Sequence, residues 1–280
     1  MRNCRLIAVL ALLPAAFTGL WTAQAQHTFY ERFRSQNAAM TEVQPSWMGP
    51  LIQSDARLSQ AVKLSVSNSS APGAQIFSYG NNHGLSLLGG RRFQFDFNPP
   101  SYFRNHSASL GDGFGNGSTQ IKYQIASGNA EHGNFAVTAI LNRSFGGGLQ
   151  QNGMVTGFYC PKIAAGKAFG RFNFQTALNG VLPTGKIDLQ GRALEWNLTA
   201  QVRPSAHTYF DVENNAGWFK GGAIDGKMQN FLTPAGYYLI RRKGWEPTHT
   251  VLVLDAGMQI ATSSFHLWNH NLITELRVLF

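Results

Sequence analysis

Long segments in which apolar and polar residues alternate restrict the fold of this chain more than any other feature. The clearest runs from Ala193 to Arg203. One face carries Leu194, Trp196, Leu198, Ala200 and Val202, and the other carries Glu195, Asn197, Thr199, Gln201 and Arg203. Successive side chains of a β-strand point to opposite faces, so a period of two indicates a strand. The segment therefore predicts a long strand whose two faces meet different surroundings.

The segment after it continues the pattern in the opposite direction. Beyond Pro204-Ser205-Ala206, the apolar residues Phe210, Val212, Ala216 and Trp218 alternate with Tyr209, Asp211, Glu213 and Asn215. A turn centred on Ser205 would pair Leu198 with Val212 and Gln201 with Tyr209. Polar residues would then face polar ones, and apolar residues would face apolar ones. This predicts a hairpin with that register.

Similar alternation recurs along most of the chain. The predicted strands span residues 57–66, 74–80, 84–97, 117–126, 133–145, 153–167, 169–182, 193–203, 207–219, 227–240, 249–262 and 267–280. Ten strands are counted from residue 84 onward, and the two weaker segments before it bring the number to twelve. An even number would leave both ends of a closed sheet on one side.

Composition decides which way the faces point. In a soluble sandwich the apolar face points inward, whereas in an outer-membrane barrel it meets lipid. Charged residues make up 13% of the chain, against about 25% in soluble domains. The strands also exceed the usual length of about 5–6 residues and match the ~9–11 that cross a bilayer. We therefore expect an all-β, antiparallel transmembrane β-barrel over residues 56–280, with twelve strands and ten as the alternative.

The N-terminus has the features of an export signal. Arg2 and Arg5 precede an apolar stretch over residues 6–21, and Ala23-Gln24-Ala25 forms a cleavage site. Residues 1–25 are therefore expected to be a secretory signal peptide, with a single membrane anchor as the alternative. Its removal lowers the net charge from +9 by two, and Cys160 is then the one cysteine. Residues 26–55 lack alternation and are expected to form an irregular periplasmic segment, the alternative being a piece that folds into the lumen.

The last strand ends in an aromatic residue. Leu272, Leu276, Val278 and Phe280 share one face, which resembles the signal that the outer-membrane assembly machinery reads in bacterial barrels. This predicts a Gram-negative outer-membrane location, with the assembly machinery as a partner through Phe280. Outer-membrane lipid and lipopolysaccharide are the other expected partners. Head groups are the natural contacts of the two basic clusters, Arg91-Arg92 and Arg241-Arg242-Lys243.

Several short motifs in order resemble a known family. They are Gly111 to Gly115, Leu182 to Gly185, Ala193 to Asn197, Gly221 to Lys227, Phe231 to Pro234 and Phe265 to Asn271. Their order over residues 84–280 resembles the outer-membrane barrel family named for the MetA pathway of phenol degradation, a set of proposed transporters. Asn116 stands where an Asp is more usual. The resemblance implies a barrel that passes hydrophobic or aromatic compounds, and it transfers no catalytic residue.

Six charged residues are expected on the lumen face. These candidates for lining a pore are Lys122, Glu195, Arg203, Asp211, Glu213 and Asp255. Charges in a lumen can set the polarity of a pore. They can equally pair with one another and fill a narrow barrel. Both interpretations remain open.

Other chemistry is disfavoured. His266 and His270, near Trp268 and Asn269, could be imagined as catalytic or metal-binding, but a loop rim and interfacial belt is the simpler interpretation. The glycines of residues 111–117 lack the Lys-Ser/Thr of a phosphate loop. Scattered basic residues do not indicate nucleic-acid binding. We therefore predict no enzyme activity, metal or cofactor. The expected function is a passive channel for small, hydrophobic or aromatic solutes, and the alternative is a closed barrel that is structural or adhesive through its outer loops.

Overall fold

The computed structural model describes residues 31, 35–71, 73–80, 83–106, 111–146, 156–241 and 250–280, so the predicted signal peptide lies outside the described residues. These residues contain fifteen β-strands. The strands are β1 (Ala61–Ala71), β2 (Ala74–Tyr79), β3 (Gly84–Leu88), β4 (Phe93–Asn98), β5 (Tyr102–His106), β6 (Gly113–Phe114), β7 (Gly117–Gly128), β8 (Phe135–Phe145), β9 (Phe158–Phe169), β10 (Phe172–Pro183), β11 (Arg192–Val202), β12 (Thr208–Lys220), β13 (Met228–Ile240), β14 (Val251–Ala261) and β15 (His270–Leu279).

The strands form one closed antiparallel barrel. β15 pairs with β14 on one side and with β1 on the other, which leaves no open edge between the first and last strands. Three positions in the wall each hold two strands placed end to end: β2 with β3, β4 with β5, and β6 with β7. The wall therefore has twelve strand positions. The predicted antiparallel twelve-stranded barrel is confirmed.

The predicted strand over residues 84–97 is wrong as a single strand. It is a hairpin of β3 and β4, and β3 continues the wall position that β2 begins. The chain reverses at residues 89–92, where Gly90 has a φ of 107°, a conformation that favours glycine. The strand count was nevertheless right, because β3 shares its position with β2.

The hairpin around Ser205 has a different register from the predicted one. Ala200 pairs with Val212 and Thr199 with Glu213, so the predicted pairing of Leu198 with Val212 is wrong by two residues. The Ser205 hydroxyl accepts a hydrogen bond from the backbone N–H of His207 within a connection that spans residues 203–207. A shift by two keeps every side chain on its own face, so alternation cannot distinguish the two registers.

Apolar side chains cover the outside of the wall. Phe95, Leu194 and Trp196 are exposed, and Trp196 retains 45% of its surface. The residues that alternate with them are polar and buried, and their side chains point into the barrel. Gln175 and Thr199 are examples. This is the reverse of a soluble sandwich and fits a wall that faces lipid. No helix in the described parts of the chain has the length and apolar character needed to span a membrane.

The two ends of the barrel differ. We call the end that holds the start of β1 and the end of β15 the terminal end, and the opposite end the loop end. Connections 129–134 and 170–171 at the terminal end are shorter than connections 184–191 and 262–269 at the loop end, although the terminal-end connection 241–250 is longer than any of these. Short helical turns occur in the connections at Ala130–His132, Ile187–Gln190 and Gly222–Ile224.

The chain directly before β1 lies inside the barrel. A helix over residues 35–43 leads into an irregular stretch, residues 44–60, which we call the lumenal segment. Its backbone and side chains form hydrogen bonds with residues of β4, β7, β8, β9, β10, β11, β12 and β15. The expected periplasmic tail therefore does not describe residues 44–55, and the alternative of a piece folded into the lumen does; the helix before them ends in exposed residues beside the connection 129–134 at the terminal end.

Candidate functional site in the barrel lumen

One buried carboxylate of the wall holds the middle of the lumenal segment. Glu213 of β12 accepts hydrogen bonds from the backbone N–H groups of Leu51 (2.6 Å), Ile52 (3.1 Å) and Gln53 (3.1 Å). The Glu213 side chain is fully buried. Hydrogen bonds to an ionised acceptor are among the stronger ones in proteins. Three consecutive backbone amides are thus fixed by a single side chain.

A guanidinium group holds the adjoining residues. Arg277 of β15 forms ion pairs with Asp255 (2.7 Å) and Glu275 (2.6 Å). Its Nη1 donates to the carbonyl oxygen of Gly49 at 2.8 Å, and its Nη2 donates to that of Pro50 at 3.2 Å. Arg277 therefore connects two carboxylates of the wall to the lumenal segment.

Neutral polar side chains complete the attachment. The amide of Gln201 accepts from the backbone N–H of Met48 at 3.0 Å, and the amide of Gln175 donates to the Met48 carbonyl at 3.1 Å. Gln53 donates to the hydroxyl of Thr199 at 2.6 Å. Because backbone groups of an irregular segment need partners when buried, these contacts make its position in the lumen possible.

Small residues of the wall make room for large side chains of the segment. Trp47 packs against Ala136, Ala164 and Ala177. A Cβ atom added at Gly166 would lie 2.8 Å from Cζ2 of Trp47. Such a distance is too short for carbon atoms, so the wall at Gly166 is shaped to the indole ring.

Two cavities remain beside the lumenal segment. The larger, the loop-end cavity, has a volume of about 490 Å³ and lies among the loop-end halves of the strands, with Leu51 and Ile52 in its lining. The smaller, the lysine cavity, has a volume of about 150 Å³. Ile52, Asn98 and Asn142 line both. The two cavities therefore adjoin one another.

The lysine cavity is rich in cationic side chains. Its basic residues are Arg57, Lys63, Lys122, Lys162 and Arg277, and its acidic residues are Asp55 and Asp96. Nζ of Lys122 donates to the carbonyl oxygen of Asp55 at 3.3 Å. This compartment thus has an excess of positive charge.

Asp55 is the acidic residue of that cavity that belongs to the lumenal segment. Burial on its own would raise the pKa of Asp55, but the Arg57 guanidinium 2.9 Å away and Lys122 more than offset it, and the pKa is lowered to about 2. The carboxylate therefore stays charged at neutral pH and forms an ion pair with Arg57 within the lumenal segment.

The six predicted lumen residues occupy three kinds of place. Lys122 lines the lysine cavity, and Glu195 lines the loop-end cavity. Glu213 and Asp255 are buried against the lumenal segment or its arginine, and Asp211 accepts from the hydroxyl of Tyr237 at 2.7 Å.

Arg203 lies apart from the others. Its Nε donates to the carbonyl oxygen of Ser205 in the turn at the terminal end. Its guanidinium carbon is also 5.4 Å from the ring centre of Tyr209. The structure thus brings Lys122 and Glu195 to cavity walls, and it does not bring Arg203 to either cavity.

Sequence reasoning missed several lumen residues. The lumenal segment, Arg277, Lys63 and Lys162 were not among the predicted set. Arg277 and Lys63 alternate correctly with apolar neighbours in β15 and β1, so their lumen orientation was predictable. Small residues at lumen positions of β9, such as Ala164 and Gly166, were the one signal that something packs against the wall.

The histidines weighed as catalytic or metal-binding lie in or beside a connection at the loop end. Nδ1 of His266 is 2.9 Å from the carbonyl oxygen of Ser263, and Nε2 is 2.9 Å from Oδ1 of Asn269. Both ring nitrogens therefore lie within hydrogen-bond distance of other atoms of the same connection. Within the described ranges, no three metal-ligating His, Cys, Asp or Glu residues form a cluster.

Comparison with known proteins identifies the fold. No family model and no curated protein matches the sequence. The structure is similar to that of the COG4313 outer membrane channel from Pseudomonas putida F1, with a TM-score of 0.54 and 13% identity over 84% of this chain and 100% of that one. It is also similar to the NanC porin, with a TM-score of 0.50 and 10% identity over 78% of this chain and 98% of that one.

This chain has the fold of an outer-membrane β-barrel. The two solved structures and the apolar outer surface point in the same direction, because such a surface is stable only against lipid. The predicted location in the outer membrane of a Gram-negative bacterium follows from both. The two similar structures are those of a channel and a porin.

Proposed function

We propose that this protein is a passive outer-membrane channel for small solutes. Its path runs through the loop-end cavity, which is lined by strands on both sides of the barrel, and then through the lysine cavity, between the lumenal segment and the wall formed by β1, β3, β4, β7, β8 and β9. The observation that carries this proposal is the pair of adjoining cavities, lined from Ser69 and Gln259 near the loop end to Leu279 near the terminal end. Passive passage needs no moving part if such a path is continuous.

The size and charge of the path suggest which solutes pass. The lysine cavity, at about 150 Å³, is the narrower part and restricts passage to small molecules. Its excess of positive charge favours anions over cations. The resemblance to the MetA-pathway family implies hydrophobic or aromatic solutes, so phenol belongs among the compounds to be tested.

Assembly in the membrane is the second part of the proposal. We infer that the assembly machinery engages the β15 segment and its Phe280, because this strand closes the barrel against β1. In the folded protein the backbone N–H of Phe280 donates to the carbonyl of Gln60 at 3.2 Å. Lipid head groups would be contacted by the exposed Arg91 and Arg92 at the terminal end. Residues 242 and 243 of the other basic cluster lie outside the described residues.

Liposome swelling tests the proposal directly. Proteoliposomes containing the full-length mature protein are transferred into isotonic solutions of solutes of increasing size, with protein-free vesicles as the control. We expect swelling with small solutes and none with large oligosaccharides. Absence of swelling with every solute would contradict the channel and favour the second candidate, a closed barrel with a structural or adhesive role. That candidate draws support from the lumenal segment, which occupies much of the lumen.

A further inference from the structure

The loop-end cavity has an unusual lining. Twelve of its 21 residues are polar, and six of these are asparagines: Asn98, Asn116, Asn142, Asn197, Asn215 and Asn271. Gln229 and Gln259 add two further amides. An amide group both donates and accepts hydrogen bonds. Such a lining matches a solute that carries many groups able to do both.

Charge narrows the class of solute. Glu195 is the single charged residue among those that line this cavity in the described chain. Its carboxylate accepts from the amide of Asn179 at 3.2 Å. With no cation in the lining, an anionic solute gains nothing here, in contrast to the neighbouring lysine cavity. Because this one carboxylate stands among eight neutral amides, most of the lining is suited to a neutral molecule.

An aromatic platform stands in the same lining. The Trp268 ring stacks on Phe231, with centroids 5.1 Å apart and planes 16° from parallel. Its Nε1 donates to Oε1 of Gln259 at 3.1 Å, which fixes the plane of the indole. A rigid aromatic face binds the C–H face of a sugar ring, because the negative π cloud attracts weakly positive hydrogens.

The amides are held in place before any solute arrives. Nδ2 of Asn215 donates to Oδ1 of Asn197 at 2.8 Å, and the Ser69 hydroxyl donates to Oδ1 of Asn271 at 2.8 Å. The buried amide oxygens of Asn142 and Gln229 accept no hydrogen bond from the part of the chain that the structure describes. Fixed amides lose little entropy on binding.

We propose that the loop-end cavity is a binding site for neutral polyhydroxylated solutes, such as mono- and disaccharides, which stack on Trp268 and hydrogen-bond to the surrounding amides. The volume of about 490 Å³ falls within the range of about 300–1,000 Å³ that small-molecule sites occupy. A hydrocarbon would remove water from the amides without replacing their hydrogen bonds. This inference rests on the proposed channel function and names its solute class.

Block of ion current by sugar tests the site. Single channels of the full-length mature protein in a planar bilayer are titrated with glucose, sucrose, phenol and benzoate. We expect glucose and sucrose to reduce the current reversibly. Trp268→Ala should raise the half-blocking sugar concentration by about tenfold, and Trp268→Phe should raise it less because a ring remains. The current without sugar is recorded first for each variant, so that block is expressed as a fraction of that variant's own current.

Two further variants sharpen the comparison. Trp196→Ala, on the lipid-facing surface, is the matched control and should leave sugar block unchanged. Gln229→Leu replaces an amide side chain by an apolar one of similar size. It should weaken sugar block while the indole remains in place. Gel mobility before and after heating checks that each variant is folded. Should Trp268→Ala fail to fold, Gln229→Leu carries the test.

The outcomes separate this inference from the channel function. Channels that conduct without sugar block, or with block equal in wild type and Trp268→Ala, overturn the sugar site and leave the channel standing. Block by phenol or benzoate and not by sugars overturns it in favour of aromatic solutes. If no current is seen at all, the channel fails, and calorimetric titration of the detergent-solubilised protein with sucrose decides the site: saturable heat that Trp268→Ala abolishes supports it, and no heat overturns it.

Discussion

At the scale of single residues, two oppositely charged side chains of the wall bind opposite polar groups of the lumenal segment. One binds backbone carbonyl oxygens, and the other binds backbone N–H groups. The carbonyls of Gly49 and Pro50 point to the guanidinium of Arg277. The N–H groups that follow, at residues 51–53, point to the carboxylate of Glu213. Carbonyl oxygens are stabilised by a cation and N–H groups by an anion, so the chain direction of the segment is matched to the wall.

Removing the carboxylate should release the segment at this point. In Glu213→Ala the N–H groups of Leu51, Ile52 and Gln53 lose their acceptor, and a hydrogen bond to a charged group contributes about 1.5–3 kcal/mol. We expect these three amides to exchange with deuterium slowly in the wild type and at least about tenfold faster in the variant. Strand amides of β7 serve as the internal reference. Equal exchange in both proteins would show that Glu213 does not hold the segment.

Removing the guanidinium should cost more stability than removing its partners with it. Arg277→Met leaves Asp255 and Glu275 buried without a cation, which we expect to lower the free energy of unfolding by about 3–5 kcal/mol. The triple variant with Asp255→Asn and Glu275→Gln should recover much of this loss, because no buried charge remains. Urea unfolding in lipid vesicles measures both. A triple variant less stable than Arg277→Met would contradict this reasoning.

The lowered pKa of Asp55 predicts that the protein loses stability in acid. Its pKa is lowered from 3.8 to about 2 in the folded protein, so its contribution is present above the unfolded pKa and lost as the pH falls from about 4 to about 2. A shift of this size corresponds to about 2 kcal/mol. Asp55→Asn should therefore reduce the stability difference between pH 6 and pH 2. Identical pH profiles of wild type and variant, measured by urea unfolding, would exclude this contribution.

At the scale of elements, the lumenal segment and the wall are shaped to each other. Trp47 fits against β9 at Gly166, where an added Cβ would lie 2.8 Å from the indole. We expect Gly166→Ala to cost about 1–3 kcal/mol through overpacking and to shift the tryptophan emission. Gly180→Ala is the matched control on β10, since an added Cβ there meets only Cγ of Pro161 at 3.7 Å. Equal stability of the two variants would mean that Trp47 does not occupy this position.

The strands were predictable, and the lumenal segment was not, for a physical reason. Lipid and lumen impose opposite preferences on successive residues, so alternation reveals which way Trp196 and Thr199 point. The register of the hairpin around Ser205 was not predictable, because a shift by two residues leaves the alternation unchanged. The position of the lumenal segment was not predictable, because its partners, such as Glu213, bind backbone groups. Every residue carries these groups, so the sequence does not mark them. Only the small residues on the lumen face, such as Gly166, bore a trace of it.

At the scale of the whole molecule, the lumen is divided rather than open. The lumenal segment is attached to the wall around β12 and β15 through Glu213 and Arg277. The loop-end cavity has amides from strands on both sides of the barrel, and the lysine cavity, deeper in the lumen, places cations between the segment and the wall from β1 to β9. A solute that crosses would meet neutral hydrogen-bonding groups first and positive charge second. This order places selection by shape before selection by charge.

The central claim is that a path remains open beside the lumenal segment. Single-channel recording of the full-length mature protein in a planar bilayer tests it most directly, with Glu213→Ala as the comparison. We predict discrete current steps for the wild type and larger steps for Glu213→Ala, whose segment is released. A wild type that carries no current, while Glu213→Ala conducts, would show that the segment closes the barrel and would contradict the open path.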